Sequence, residues 1–230
     1  MNNYEYCAQW AAQTGNTNAR VLDYGCGCGE LVALLVRRGI DAWGCDVFYD
    51  GGDFSNLRPD AAPRIVRMVG DRIPFEDSSF DILVSNQVIE HLPDLRVAVG
   101  EMARVLKPGG RCLHVFPHRA VLREPHTRIP FLHWLPKGAA WRLPYAVLMR
   151  PRSRPLVQSA RHRIAWVDAW THFRSLREIH ATFEAYFDVE YGEDHWFVTR
   201  FGSRGLPASV RRRIARAAAG SVLMLRRHAQ

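Results

Sequence analysis

Short apolar runs closed by turn residues alternate along the first half of the chain with apolar positions at helical spacing. Strands are predicted at about 20–24, 41–46, 65–70, 80–85 and 111–116. Helices are predicted over Tyr4–Thr14, over about 29–38 up to Gly39, and over Asp94–Leu106, where Pro108-Gly109-Gly110 stops the last one. The crossover Phe48–Arg64 carries Gly51, Gly52, Pro59 and Pro63 and reads as an irregular loop or broken helix. Strands alternating with helices at this spacing imply an α/β fold, a doubly wound parallel sheet with helices on both faces. A ligand then belongs outside the carboxyl ends of the strands, where the strand order reverses.

The pattern changes after Pro117. Residues 118–174 hold six prolines, four of the seven Trp and five of the ten His, which is too long and too aromatic for a simple loop. They read as a substrate cap inserted into a core of residues 1–117. Ser175-Leu176-Arg177-Glu178 is a capping box, followed by Ile179, Phe183 and Phe187 at helical spacing. Asp188–Gly192 and Trp196–Phe201 read as an antiparallel hairpin, so 175–202 would complete the core sheet. The last segment, 203–230, is expected to hold one basic amphipathic helix, Pro207–Arg227. Its apolar stripe is Val210, Ile214, Ala217, Ala218, Val222 and Leu225, beside Arg211, Arg212, Arg213 and Arg216. Such a helix can lie on a membrane surface or dock on the domain.

Charge sharpens the division. The net +8 is uneven: residues 1–106 sum to −6, whereas 107–174 carry 13 Lys/Arg against only Glu124 and Asp168. An acidic first half and a basic cap favour an anionic partner. Five cysteines, two of them inside the Gly-rich loop, suit reduced thiols in a cytoplasmic protein. The opening Met1–Tyr6 has no basic or apolar leader character, and no apolar run reaches transmembrane length.

The chemistry centres on Asp23-Tyr24-Gly25-Cys26-Gly27-Cys28-Gly29, a glycine-rich turn between strand and helix that lets a ligand approach the backbone. Asp46 closes the next strand, about 20 residues on, where a ribose diol is typically held. In order follow Gly70-Asp71-Arg72-Ile73-Pro74-Phe75, Phe80-Asp81-Ile82-Leu83-Val84-Ser85-Asn86, Glu90-His91-Leu92, and Ala103-Arg104-Val105-Leu106-Lys107-Pro108-Gly109-Gly110. This series, over about 20–117, resembles the class I S-adenosylmethionine-dependent methyltransferases, close to the branch of ubiquinone and small-molecule enzymes.

The resemblance implies a Rossmann-like sheet, mostly parallel with an antiparallel C-terminal hairpin, and S-adenosylmethionine as cofactor with S-adenosylhomocysteine as product. It implies that Asp23, Tyr24, Gly25, Gly27 and Gly29 shape the methionine and ribose side. Asp46, with Val47 beside it, would bond both ribose hydroxyls. Asp71 would accept the adenine amino hydrogen near the Arg72 backbone, and Asn86 and Gln87 would face the methionine end. In ubiquinone O-methyltransferases and small-RNA 2′-O-methyltransferases a Glu-x-x-Glu-His segment binds a divalent metal. Here Gln87 replaces the first acid and removes an anionic ligand, so no metal is expected and His91 reads as a helix-start residue closing the pocket wall.

Methyl transfer mainly requires donor and acceptor to be held close and aligned, and a hydroxyl acceptor also needs a base. The candidates are His118, just past the fifth strand, and His126, behind a proline. With Glu124, His133, Trp134, Trp166, Trp170 and His172 they suggest an aromatic, basic pocket. The leading expectation is methylation of a small planar or anionic acceptor at a hydroxyl or carboxyl oxygen, in a biosynthetic setting. The alternatives are a nucleic-acid methyltransferase, suggested by the Arg-rich tail but without a recognisable RNA-binding module, and a non-catalytic cofactor-binding protein.

Overall fold

The structure is a computed structural model, and it describes residues 1–16, 18–48, 57–149, 157–218 and 220–229. Helix α1 (Asn3–Thr14) starts on a reciprocal cap between Asn2 and Glu5. It leads into β1 (Arg20–Tyr24), α2 (Glu30–Arg37), β2 (Asp41–Asp46), β3 (Ile65–Arg67) and β4 (Phe80–Asn86). Then come α3 (Leu95–Val105) and β5 (Leu106–Phe116). Asp94 caps α3 through the amides of Arg96 and Val97. The fifth strand thus begins earlier than its apolar run. Pro108 holds the residue before it extended, and the turn expected at 108–110 is absorbed as a register shift opposite Phe80 and Ile82. Residues 49–56 of the Phe48–Arg64 crossover lie outside the described residues; its end holds one helical turn, Ala62–Arg64.

Seven strands form one sheet in the order β3-β2-β1-β4-β5-β7-β6, where β6 is Phe187–Tyr191 and β7 is Ser221–Arg227. β1 to β5 pair in parallel, and β7 runs antiparallel to both β5 and β6. Alternate side chains feed two cores. Val21, Ile82, Val84, Leu113, Val115 and Val222 pack under α1 and α2, whereas Leu22, Leu83, Cys112, Phe116, Leu223 and Leu225 pack under α3 and α6 (Leu176–Phe183). The strand period of two explains why consecutive apolar residues are needed when both faces are covered.

Two expectations are corrected. Trp196–Phe201 is not a strand but part of α7 (Glu193–Phe201). Glu193 and Asp194 complement its N-terminus, and Trp196 and Phe197 bury one face. The basic helix does not reach Arg227 either. It is α8 (Ala208–Ala218), and 221–227 is the interior strand β7, so the antiparallel hairpin is β6 with β7. Val222 and Leu225 suit a helical stripe, but in the sheet they are buried on opposite faces, and Gly220 cannot continue a helix. Its φ is +102°, and a Cβ there would stand 2.2 Å from the Phe116 carbonyl oxygen. Helix α8 docks on α7: Arg211 bonds Asp194, Arg216 bonds buried Glu193, and Ala215 is buried.

Between β5 and α6, residues 118–174 contain α4 (Arg142–Met149) and α5 (Val157–Trp170). Ile129, Leu132 and Ala146 form a small core there with Tyr145 and Ile164. Arg142, 2% exposed, is paired with Asp168 at 2.5 Å and joins the two helices. Among the described residues no helix is long and apolar enough to cross a membrane.

Candidate active site

The glycine loop leaves β1 at Tyr24 and turns back over β2. The amides of Gly25 and Cys26 both donate to the Cys45 carbonyl, at 2.8 and 3.1 Å. Gly25 has φ +75°, and a Cβ at this position would stand 2.4 Å from Val88 Cγ2. The loop therefore depends on a missing side chain at the point where it crosses the segment after β4. Asp46, at the end of β2, ties the turn together. Its Oδ2 accepts from the Gly27 amide at 2.8 Å and its Oδ1 from the Phe48 amide at 2.7 Å. Each carboxylate oxygen has a second lone pair to offer a ligand.

A cavity of about 510 Å³ opens beside this turn, within the size range of small-molecule sites. Tyr24, Gly25, Gly27, Asp46, Val47, Asp71, Asn86 and Gln87 line it. Asp23, Gly29 and Arg72 do not. Asp23 is buried beneath the loop; Gly29 is the left-handed cap of α2, facing Ala61 and Ile65; Arg72 pairs by its backbone with Val69. Tyr4, Phe48, Met68 and Val88 also line the cavity. Tyr4 opens the helix predicted over Tyr4–Thr14, whereas the other three carried only an apolar character common to core positions.

The far wall is built from His91, Leu92, Pro93 and Trp166. His126 stands behind it, its ring 5.0 Å from those of both His91 and Trp166. His118 is elsewhere. It is buried, its Nδ1 accepts from the Ala120 amide, and burial with Arg216 and His133 nearby pushes its pKa down to about 4. The sequence pair His118 and His126 is therefore split, and only His126 adjoins the cavity wall. His133, Trp134 and His172 likewise lie off the cavity lining.

Residues 22–114 match the family model described as a methyltransferase domain. By this match residues 22–114 form a methyltransferase domain. An uncharacterised methyltransferase of Mycobacterium tuberculosis is 42% identical over 94 residues, 40% of this chain and 37% of that protein. A ubiquinone biosynthesis O-methyltransferase of Psychrobacter cryohalolentis is 30% identical over 112 residues, 46% of this chain and 44% of that protein. The matched part is thus less than half of these relatives. Among solved structures, a S-adenosylmethionine-dependent methyltransferase from Mesorhizobium loti superposes with a TM-score of 0.58 at 17% identity, covering 97% of this chain and all of that one. The YcgJ protein of Bacillus subtilis gives 0.57 at 21% identity, covering 98% and 99%. These two likenesses show the Rossmann-like fold.

The site fits S-adenosylmethionine, the cofactor that the motif resemblance implies. Among the described residues the space beside Gly27 is open, with no non-neighbouring atom within 4 Å of where a Cβ would lie. Carboxylates stand at the ends of β2 and in the loop after β3, and the remaining lining is largely apolar. The domain also buries Asp23 at 3% exposure, and burial, then the neighbouring Asp46 carboxylate, pushes its pKa up to about 8. The fold therefore favours the neutral acid. This contribution is complete below about pH 4 and is lost as pH rises towards 8, since the unfolded chain then releases a proton that the folded chain holds. Asp23→Asn should consequently raise the melting temperature of cofactor-free protein at pH 8 by about 2–4 °C for each kcal/mol recovered, with the gain shrinking towards pH 4. Calorimetric melting of both proteins across that range checks this; a gain that grows with acidity would contradict it.

Proposed function

We propose that this chain transfers a methyl group from S-adenosylmethionine to a hydroxyl or carboxyl oxygen of a small-molecule acceptor. The observation that carries the reading is that one cavity runs from the glycine loop and the Asp46 and Asp71 carboxylates to the wall of His91, Leu92 and Trp166. A nucleotide-like end and an acceptor end therefore share one space. When bound, the cofactor supplies an electrophilic methyl group on a sulfonium. The chain has to hold, align and dehydrate.

In this reading Asp46 holds the ribose hydroxyls with its remaining lone pairs, and Asp71 accepts from the adenine amino group beside the Arg72 backbone. Asn86 and Gln87 face the methionine end. Tyr24, Gly25, Gly27 and Val47 form the surface of the cofactor half; Asp23 and Gly29 support it from beneath. Tyr4, Leu92 and Trp166 exclude water.

Residues 118–174 act as the cap that selects the acceptor. Their ring surface at Trp166 and their excess of cations suit a planar or anionic molecule. The polar group at the acceptor end is the His91–His126 pair. Burial lowers the pKa of His91, which keeps that imidazole neutral and able to receive a proton at pH 7. His118 supports the turn after β5. The exposed Val210 and Ile214 of α8, with Arg212 and Arg213, leave a peripheral contact with an anionic surface open to the same protein.

The test is a panel of aromatic and acidic hydroxyl and carboxyl compounds incubated with isotope-labelled S-adenosylmethionine. The expected result is label in an acceptor and S-adenosylhomocysteine in equal amount, read by mass spectrometry. Protein that neither binds the cofactor in calorimetry nor releases S-adenosylhomocysteine with any compound would overturn the proposal.

A further inference from the structure

A chain of hydrogen bonds leads from α7 to the lining of the cavity. Arg200 lies in the last turn of α7. Its guanidinium stands over the Trp196 ring at 4.7 Å, and Nη1 donates to Asn3 Oδ1 at 2.6 Å. Asn3 opens α1, and its Nδ2 donates to Asn86 Oδ1 at 3.2 Å. Asn86 is the last residue of β4 and lines the cavity, whereas Asn3 and Arg200 do not. All three side chains are half-buried, where water competes less for their bonds.

This chain has a direction. A guanidinium only donates, so the Asn3 atom that faces Arg200 is the oxygen. The nitrogen of the same amide then faces Asn86. An amide nitrogen also only donates, so the Asn86 atom that it meets is again the oxygen. One cation thus sets two amides in series. The group of Asn86 left over is its NH2, which has no hydrogen-bond acceptor among the described residues.

The backbone at this point is held from both sides. Asn86 is paired with Val115 in the sheet. Gln87 takes φ +60°, and its amide donates to the Val115 carbonyl at 2.7 Å. The side-chain amide of Asn86 is therefore the part that can turn, and turning it exchanges a donor for an acceptor at the cavity. An NH2 group attracts an anionic oxygen; an amide oxygen in the same place repels it.

We propose that Arg200 and Asn3 are positioning residues for a carboxylate-bearing ligand. They hold the Asn86 amide with its NH2 group towards the cavity, where it takes the carboxylate at the amino-acid end of the cofactor. The proposal rests on S-adenosylmethionine being that cofactor; it adds which group of Asn86 is offered and what fixes it. The competing role is a clamp that only joins α1 and α7 to the sheet.

Two variants at Asn3 separate these roles. Asn3→Asp keeps an oxygen for Arg200 but has no N–H for Asn86, so the Asn86 amide turns its nitrogen to the new carboxylate and its oxygen to the cavity. Asn3→Ala removes both links and leaves that amide free to turn either way. The ligands are S-adenosylhomocysteine and 5′-methylthioadenosine, which has the same nucleoside and no amino-acid group. In calorimetry, Asn3→Asp should weaken S-adenosylhomocysteine binding by about 10–100-fold, the worth of one hydrogen bond to a charged group. Asn3→Ala should weaken it less, and so should Arg200→Met. None of the three should alter the affinity for 5′-methylthioadenosine. The loss in Asn3→Asp should persist at high salt, which screens a charge acting from a distance. Circular dichroism melting verifies that the variants fold. A clamp gives the opposite order, because alanine breaks two links and aspartate one, and that order overturns the proposal. So does an equal loss for both ligands, a loss that salt abolishes, or unchanged affinity for S-adenosylhomocysteine in Asn3→Asp. Wild-type protein that binds neither ligand removes the cofactor reading itself, and this inference with it.

Discussion

Gly25→Ala should abolish measurable binding of S-adenosylmethionine and lower stability. The added Cβ meets Val88 at 2.4 and 2.9 Å, and φ at this position is +75°. The left-handed conformation alone costs an L-residue roughly 1–2 kcal/mol. Overpacking in a well-packed region costs about another 1–3 kcal/mol. Relieving the overlap requires the turn or Val88 to shift, and a shift of the turn strains the two amide bonds to the Cys45 carbonyl that aim the loop. The double variant Gly25→Ala/Val88→Ala separates the terms. It removes the overlap and keeps the dihedral cost, so it should recover part of the melting temperature and part of the affinity. Chemical denaturation and calorimetry on the single and double variants provide the reading. Equal affinity in wild type and Gly25→Ala would mean that the loop does not contact the cofactor.

Asp46→Ala should reduce cofactor affinity by at least about 10–100-fold, because each hydrogen bond to a charged acceptor is worth about 1.5–3 kcal/mol. The loss has two sources. The ribose acceptors disappear, and the Gly27 and Phe48 amides lose the carboxylate that holds them. Asp46→Asn distinguishes these, since its amide oxygen can still accept one of the two backbone bonds while the negative charge is gone. It should fall between wild type and alanine. If all three proteins bind S-adenosylmethionine alike in calorimetry, Asp46 is a turn residue and not part of the cofactor site.

The two halves of the chain differ in how readily sequence reveals them. From β1 to β5 each step is local: an apolar run, a glycine or proline that ends it, and a helix of suitable length. The positions of Asp46, Asp71 and Gln87 around one cavity follow because parallel strands place their carboxyl ends side by side. The tail was misread because Val222 and Leu225, three apart, fit a helical stripe, whereas in the strand they are buried on opposite faces of the sheet. What decided between them was Gly220 against the Phe116 carbonyl, a contact over more than a hundred residues that no local window contains. The same limit applies to the acceptor end. Gln87 and His91 are near neighbours in sequence, and there the reading stopped at a missing acid. His126 reaches His91 only because residues 118–174 fold back, with His172 donating its amide to the Glu90 carbonyl at 2.6 Å. Glu124 looked like an isolated acid in a basic stretch; in the fold it fixes the tautomer of His126.

The position of β7 bears on how the molecule is made. It leaves the ribosome after β6, yet it lies between β5 and β6. Until it arrives, the nascent chain presents two open strand edges, those of Leu106–Phe116 and Phe187–Tyr191, each able to pair with a neighbouring chain. The first four parallel pairings can form earlier, so a partly built sheet with an unfilled slot is the intermediate most exposed to aggregation. Variants that weaken Ser221–Arg227 should therefore show first as low recovery of intact protein during expression, before any loss of affinity in the molecules that do close the sheet.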